Sequence, residues 1–68
     1  MTKSERIIYD YIVKYKKING YSPSTYEIAK GCNYSRTYIR NVLLSLHDSG
    51  IIRYTPEKRR SITILKFL

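Results

Sequence analysis

The chain has 68 residues, and its thirteen Lys and Arg against five Asp and Glu give a formal net charge of +8. So large a positive charge on so small a body indicates a polyanionic partner, with nucleic acid as the first candidate and an anionic membrane surface as the second. A chain this short has no room for both a core and a deep substrate pocket, so we expect one domain over residues 1–68. It carries no carboxylate pair, catalytic triad or phosphate loop, so we do not expect an enzyme.

The single cysteine, Cys32, cannot form an internal disulfide, which excludes a disulfide-stapled secreted protein. The N-terminal residues lack the apolar run of a signal peptide, and no stretch approaches the roughly 18 apolar residues that span a bilayer. We therefore predict a cytoplasmic protein of a bacterium, phage or plasmid, without a membrane partner. Cys32 and His47 lack the CxxC spacing or second His of a zinc site, so we expect neither a metal nor a cofactor.

The first predicted helix spans Lys3–Asn19. Thr2 and Glu5 have the spacing of a capping box, in which each side chain accepts a hydrogen bond from a free backbone N–H of the first turn. Asn19-Gly20 is typical of a helix end. Apolar side chains recur at helical spacing and predict one buried stripe, formed by Ile8, Tyr11, Ile12 and Tyr15.

The second predicted helix is short and begins near Thr25, because Ser24 and Glu27 repeat the capping-box spacing. Asn33 can adopt the left-handed conformation that ends a helix. We expect the core-facing residues of this helix to be Ile28, Ala29 and Cys32.

The third predicted helix covers residues 35–49 and has Ser35 as its N-cap. Its apolar residues follow a clear amphipathic pattern, formed by Ile39, Val42, Leu43 and Leu46. A turn of about four residues, 33–36, joins it to the second helix, which is the geometry of a helix-turn-helix.

The last segment changes to the alternating pattern of strands and predicts a hairpin, with Ile62 and Ile64 on its inward side. The connection at residues 55–61 is basic, since it carries Lys58, Arg59 and Arg60. The order helix, helix, helix, hairpin predicts a mainly α fold with a small β-hairpin, a three-helix winged helix-turn-helix, whose wing is residues 55–61.

Four parts of the chain form a characteristic set: Gly20-Tyr21-Ser22-Pro23-Ser24, Glu27-Ile28-Ala29, Ser35, and Leu43-x-x-Leu46-x-x-x-Gly50-Ile51-Ile52. Together they resemble the DNA-binding domain of the LexA repressor family. The resemblance implies that the start of the third helix enters the major groove of DNA. The positions that match the base-reading surface of the family are Ser35, Thr37, Tyr38, Arg40 and Asn41.

Two departures limit what the resemblance carries over. The family has a self-cleaving and dimerising C-terminal domain, whereas this chain ends at Leu68, so we expect no control by self-cleavage. Positions 40 and 41 are Arg and Asn, where the best-known LexA has acidic residues, so the family's target sequence does not transfer.

Side-chain chemistry supports a DNA-binding role independently of the resemblance. Arg40 can pair bidentately with guanine and Asn41 with adenine, and we expect Thr37 and Tyr38 to read bases beside them. We expect the remaining contacts to hold phosphates, from Ser35, Arg36, Lys30, Lys58, Arg59 and Arg60. The predicted function is a small transcriptional regulator of duplex DNA.

Two other functions remain open from the sequence. Aromatic residues beside basic ones form stacking platforms for single strands, so a non-specific single-stranded DNA-binding protein of a mobile element is the alternative. The tyrosines concerned are Tyr26, Tyr34, Tyr38 and Tyr54. Winged helices also bind proteins, so an interaction module is a third hypothesis. The apolar tail, residues 64–68, could contact a second copy or a partner protein.

Overall fold

Three helices are followed by a two-stranded antiparallel hairpin in the computed structural model, which describes residues 1–68. The elements are α1 (Lys3–Asn19), α2 (Thr25–Cys32), α3 (Arg36–Asp48), β1 (Ile52–Arg53) and β2 (Thr63–Ile64). Ile52 pairs with Ile64, and Arg53 pairs with Thr63. This order confirms the predicted fold class. None of the three helices combines the length and the hydropathy that crossing a bilayer requires.

Local side-chain contacts fix where each helix begins. Thr2 with Glu5, and Ser24 with Glu27, form complete capping boxes at the starts of α1 and α2. At the start of α3, the Ser35 hydroxyl accepts a hydrogen bond from the Tyr38 amide at 3.1 Å. These contacts satisfy N–H groups that have no partner within the helix, and they agree with the predicted helix starts.

All five elements contribute to one hydrophobic core. The buried residues of α3 are the four that its amphipathic pattern predicts. Ile28 and Ala29 of α2 are buried, whereas Cys32 is only half-buried. The inward residues of the hairpin, Ile62 and Ile64, are buried as predicted.

The predicted stripe of α1 is confirmed at Ile8 and Ile12, but its two tyrosines, Tyr11 and Tyr15, are only half-buried, and the buried tyrosine is Tyr9. The C-terminal tail, residues 65–68, runs past α1. The Tyr9 hydroxyl donates to the Lys66 carbonyl at 2.7 Å and accepts from the Leu68 amide at 3.0 Å. Tyr9 can therefore be buried without leaving its polar group unpaired.

Candidate nucleic-acid interface

The turn between α2 and α3 is tight and well defined. Asn33 has φ 62° and ends α2 in the left-handed conformation, and the Tyr34 amide donates to the Ala29 carbonyl at 3.1 Å. The chain then enters α3 through Ser35. Because the buried side of α3 packs on α1, α2 and β1, its other side is left facing outward.

The outward side of α3 is polar in its first two turns. A helix advances about 100° per residue, so positions 36, 37, 40 and 41 share the side opposite the core. All four side chains are exposed: Arg36, Thr37, Arg40 and Asn41. The structure thus brings four of the predicted site residues onto one surface, the α3 face.

Leu44, which was not among the predicted site residues, continues this α3 face and is 39% exposed. Leu44 lies one turn beyond Arg40 and falls outside the spacing of the buried α3 residues, which is the signal that could have identified it. Asp48 follows one turn later and is also exposed. The favourable surface for an anion is therefore confined to the N-terminal part of α3.

All but one of the predicted cations of α3 and the wing lack an acidic partner. The chain contains two ion pairs, Arg6 with Asp10 and Arg60 with Glu27. The remaining predicted cations of α3 and the wing are unpaired, namely Arg36, Arg40, Lys58 and Arg59. Their charge is available to a polyanion.

Two adjoining grooves connect the α3 face to the wing. One has a volume of about 400 Å³ and lies between the start of α2 and the wing, with Lys58 and Arg59 in its lining. The other, of about 290 Å³, is lined by Arg36, Thr37, Arg40, Thr25, Tyr54 and Pro56. Arg36 lines both grooves and so links α3 with the wing.

Thr25 and Pro56 also line these grooves, although neither was a predicted site residue. Thr25 is the first residue of α2, and Pro56 begins the wing turn. Both lie beside Arg36 because α2 and the wing converge there. No local pattern marks them, since their proximity depends on the packing of distant segments.

Arg60 does not join the free cations of the wing, which corrects its predicted grouping with Lys58 and Arg59. Its guanidinium donates to both carboxylate oxygens of Glu27, at 2.8 and 3.1 Å. These hydrogen bonds, with those that Glu27 accepts at the start of α2, lower the pKa of the Glu27 carboxyl to about 2. Arg60 is therefore turned toward the body of the domain.

Tyr38 lies at the edge of the α3 face and is 37% exposed. Its hydroxyl donates to the Ser4 hydroxyl of α1 at 2.7 Å, and its ring contacts the Tyr34 ring with centroids 4.9 Å apart. Lys30 is exposed on α2, where its Nζ lies 6.0 Å from the centre of the Tyr26 ring. Neither Lys30 nor Tyr38 lines the two grooves.

Of the four tyrosines proposed as a stacking platform, Tyr54 is excluded by its burial, since it is 5% exposed. Its backbone amide donates to His47 Nδ1 at 3.1 Å. Tyr34 is half-buried, and Tyr26 is 55% exposed. The structure therefore does not assemble the four rings into one exposed platform.

A three-helix body, a tight turn before an outward-facing helix and a basic hairpin together define a winged helix-turn-helix domain. The comparisons with known proteins agree with this class. The chain is 33% identical to the LexA repressor of Thermosipho africanus, 39% to that of Exiguobacterium sibiricum and 38% to that of Staphylococcus epidermidis, each over 66 residues. The chain resembles the DNA-binding domain of LexA repressors, as its motifs indicated.

Each alignment covers nearly all of this chain but only part of the repressor. The aligned residues cover 96–97% of this chain but 32–33% of each repressor. The chain thus spans about a third of the length of the curated relatives it matches. No protein-family model matches it.

Proposed function

We propose that the chain binds duplex DNA as a transcriptional regulator, with α3 in the major groove and the wing on the adjoining backbone. The observation that carries this proposal is the exposed α3 face, where Arg36 and Arg40 lie unpaired beside Thr37 and Asn41. The LexA repressors that the chain resembles support the same role. The shared core of all five elements supports residues 1–68 as one domain.

The α3 face offers two kinds of base contact. Arg40 can donate two hydrogen bonds to guanine, and Asn41 can bond the edge of adenine. The missed residue Leu44 adds an apolar contact that suits the methyl group of thymine. Thr37 lies one turn before Arg40 and Asn41 on α3, and its hydroxyl can donate or accept. Together these four side chains are the proposed base-reading set.

Phosphate contacts form the rest of the proposed interface. We assign them to Ser35 at the start of α3, to Arg36 between the grooves, to Lys30 on α2, and to Lys58 and Arg59 on the wing. The Tyr38 hydroxyl is already bonded to Ser4, so we assign Tyr38 to holding α3 against α1 rather than to reading a base. With about four phosphates neutralised by these Lys and Arg side chains, log K should fall with log salt at a slope near −4.

Selection from a random duplex pool, run beside a single-stranded pool, tests the proposed function. We expect an enriched duplex motif and weaker binding to single strands. Arg40→Ala should relax the preference at one position of that motif, while the matched control Lys14→Ala, on the exposed surface of α1, should leave the motif unchanged. Tighter binding to single strands without any motif would refute the regulator.

The single-stranded alternative gains no support from the comparisons, because the relatives found are repressors. The burial of Tyr54 also removes one of the proposed stacking rings. We therefore do not carry that function forward.

Helix-turn-helix proteins commonly read two half-sites, each bound by one copy of a dimer. We propose that the tail supplies a contact between two copies, because its apolar side chains Leu65, Phe67 and Leu68 are 47%, 75% and 57% exposed. Sedimentation should show a dimer at high micromolar concentration or on a duplex with two sites. A monomer under both conditions would exclude this contact.

A further inference from the structure

Arg60 ties the wing to the start of α2 through four contacts. Besides its two hydrogen bonds to Glu27, the guanidinium donates to the Ser22 carbonyl at 3.0 Å. Its Cζ lies 4.8 Å from the centre of the Tyr21 ring, in cation–π geometry. The Arg60 side chain is 31% exposed and that of Glu27 is 28% exposed, so the pair is partly shielded from water.

The backbone of Arg60 is held in an unusual conformation. Arg60 has φ 55°, in the left-handed region that non-glycine residues seldom adopt. The same residue makes the contacts with Glu27, Ser22 and Tyr21. The chain therefore turns at Arg60, immediately after the unpaired cations Lys58 and Arg59.

The wing has few other means of holding its position. Its ladder consists of two residue pairs, Ile52–Ile64 and Arg53–Thr63, and a hairpin this short is marginally stable alone. The Ser61 hydroxyl accepts a hydrogen bond from the Thr55 amide and donates one to the Thr55 carbonyl. Both bonds lie within the wing, so they do not attach it to the rest of the domain. Its base is fixed, because Tyr54 and Ile62 are buried in the core, the Tyr54 amide donates to His47 Nδ1 and the Ser22 hydroxyl donates to the Ile62 carbonyl. Within residues 55–61 themselves, the hydrogen bonds to the rest of the domain are those of Arg60.

We infer that Arg60 and Glu27 are positioning residues for DNA binding: their ion pair sets the wing so that Lys58 and Arg59 meet the phosphate backbone. This inference rests on the proposed function, and it assigns Arg60 no contact with DNA. Fixing the wing before binding reduces the conformational entropy lost in the complex.

Glu27 provides a test in which electrostatics and positioning predict opposite results. Removing an acidic charge near the interface should strengthen DNA binding if charge alone matters. If the ion pair positions the wing, Glu27→Gln should weaken binding instead. Gln still suits the capping box of α2, so this change breaks the ion pair while leaving the helix start intact.

The experiment measures affinity for the selected duplex against salt in the full chain. Glu27→Gln should weaken binding about tenfold and lower the salt slope by about 2, since the two wing cations lose their phosphates. Arg60→Lys keeps the charge but loses the planar fork, so it should weaken binding as well. The matched control is Glu5→Gln, which alters the capping box of α1 in the same way, but whose polar contacts are with Thr2 and Ser45 and not with the wing; its affinity should stay unchanged or rise slightly.

Failure of the inference is distinguishable from failure of the proposed function. If the wild type does not bind duplex DNA, the proposed function is wrong. If the wild type binds and Glu27→Gln binds equally or more tightly, the positioning role is wrong. Nitrogen-15 relaxation of the free protein gives a second readout: the amides of residues 57–59 should become more mobile in Glu27→Gln and Arg60→Lys, and unchanged mobility would overturn the inference.

Discussion

Two tyrosines of α1, Tyr9 and Tyr11, form hydrogen bonds through their hydroxyl groups to parts of the chain that are distant in sequence. Tyr9 holds the C-terminal tail through Lys66 and Leu68. Tyr11 donates to the Glu27 carbonyl at 3.3 Å, and burial raises the pKa of its phenol. Because both rings are anchored by a polar contact as well as by packing, α1 fixes both the tail and α2.

Tyr9→Phe tests the contact with the tail. Removal of the hydroxyl breaks two hydrogen bonds but keeps the buried ring, so the free energy of unfolding should fall by about 1 kcal/mol. Hydrogen exchange at the Leu68 amide should become faster. The matched control is Tyr26→Phe, an exposed tyrosine, which should stay within about 0.5 kcal/mol of the wild type. Unchanged exchange at Leu68 would show that the tail is held in another way.

Gly31 of α2 leaves room for the end of the Tyr11 side chain of α1. A Cβ at this position would overlap the end of the Tyr11 ring. Gly31→Ala must therefore shift the end of the Tyr11 side chain, and the loss of its hydrogen bond to the Glu27 carbonyl should lower the free energy of unfolding by about 1 kcal/mol. Urea denaturation would measure this.

The control for Gly31 is the same change in a Tyr11→Leu background. With the ring absent, Ala should be neutral or stabilising, because its helix propensity exceeds that of Gly by about 1 kcal/mol. Equal destabilisation in both backgrounds would contradict the proposed overlap with Tyr11.

At the start of α2, Glu27 serves both the capping box and the Arg60 ion pair. Its pKa of about 2 lies below the value near 4.3 expected in the unfolded chain. A lowered pKa in the folded state contributes stability that is present above about pH 4.3 and is lost as the pH falls toward 2. Glu27 therefore links the stability of α2 and the wing to pH in the acid range.

Thermal unfolding between pH 6 and pH 2 tests this linkage. Glu27→Gln should be less stable than the wild type at pH 6, and the difference should shrink as the pH approaches 2. Some acid dependence should persist, because hydrogen bonds from Thr2 and Ser45 also lower the pKa of Glu5. A constant difference across the whole range would contradict the assignment to Glu27.

The helices could be predicted closely from the sequence because their ends depend on neighbours. Each capping box joins residues three apart, and the left-handed Asn33 is a property of one residue. The exposed α3 face followed in the same way from amphipathic spacing. Such features need no knowledge of the rest of the fold.

The long-range contacts could not be predicted by this route. Tyr9 meets Lys66 across 57 positions, and Arg60 meets Glu27 across 33. In the sequence Arg60 is indistinguishable from Lys58 and Arg59, so only the folded arrangement separates an anchoring cation from two free ones. The grooves beside Arg36 depend on the same packing of α2 against the wing.

Positive charge occurs on more than one side of the domain, so net charge alone does not locate the interface. The last turn of α1 carries Lys16 and Lys17, with Lys14 just before it, and all three are exposed. The α3 face and the wing differ from this cluster because their cations flank side chains that can read base edges, Thr37 and Asn41. The proposed function therefore predicts that DNA contacts the α3 face and the wing and leaves the end of α1 free.

Amide chemical shifts during titration with a duplex that carries the selected motif would test that interface. We expect the largest changes at residues 36–41 and 57–59, with little change at Lys14, Lys16 and Lys17. Changes centred on those three lysines, or spread evenly over the surface, would contradict it.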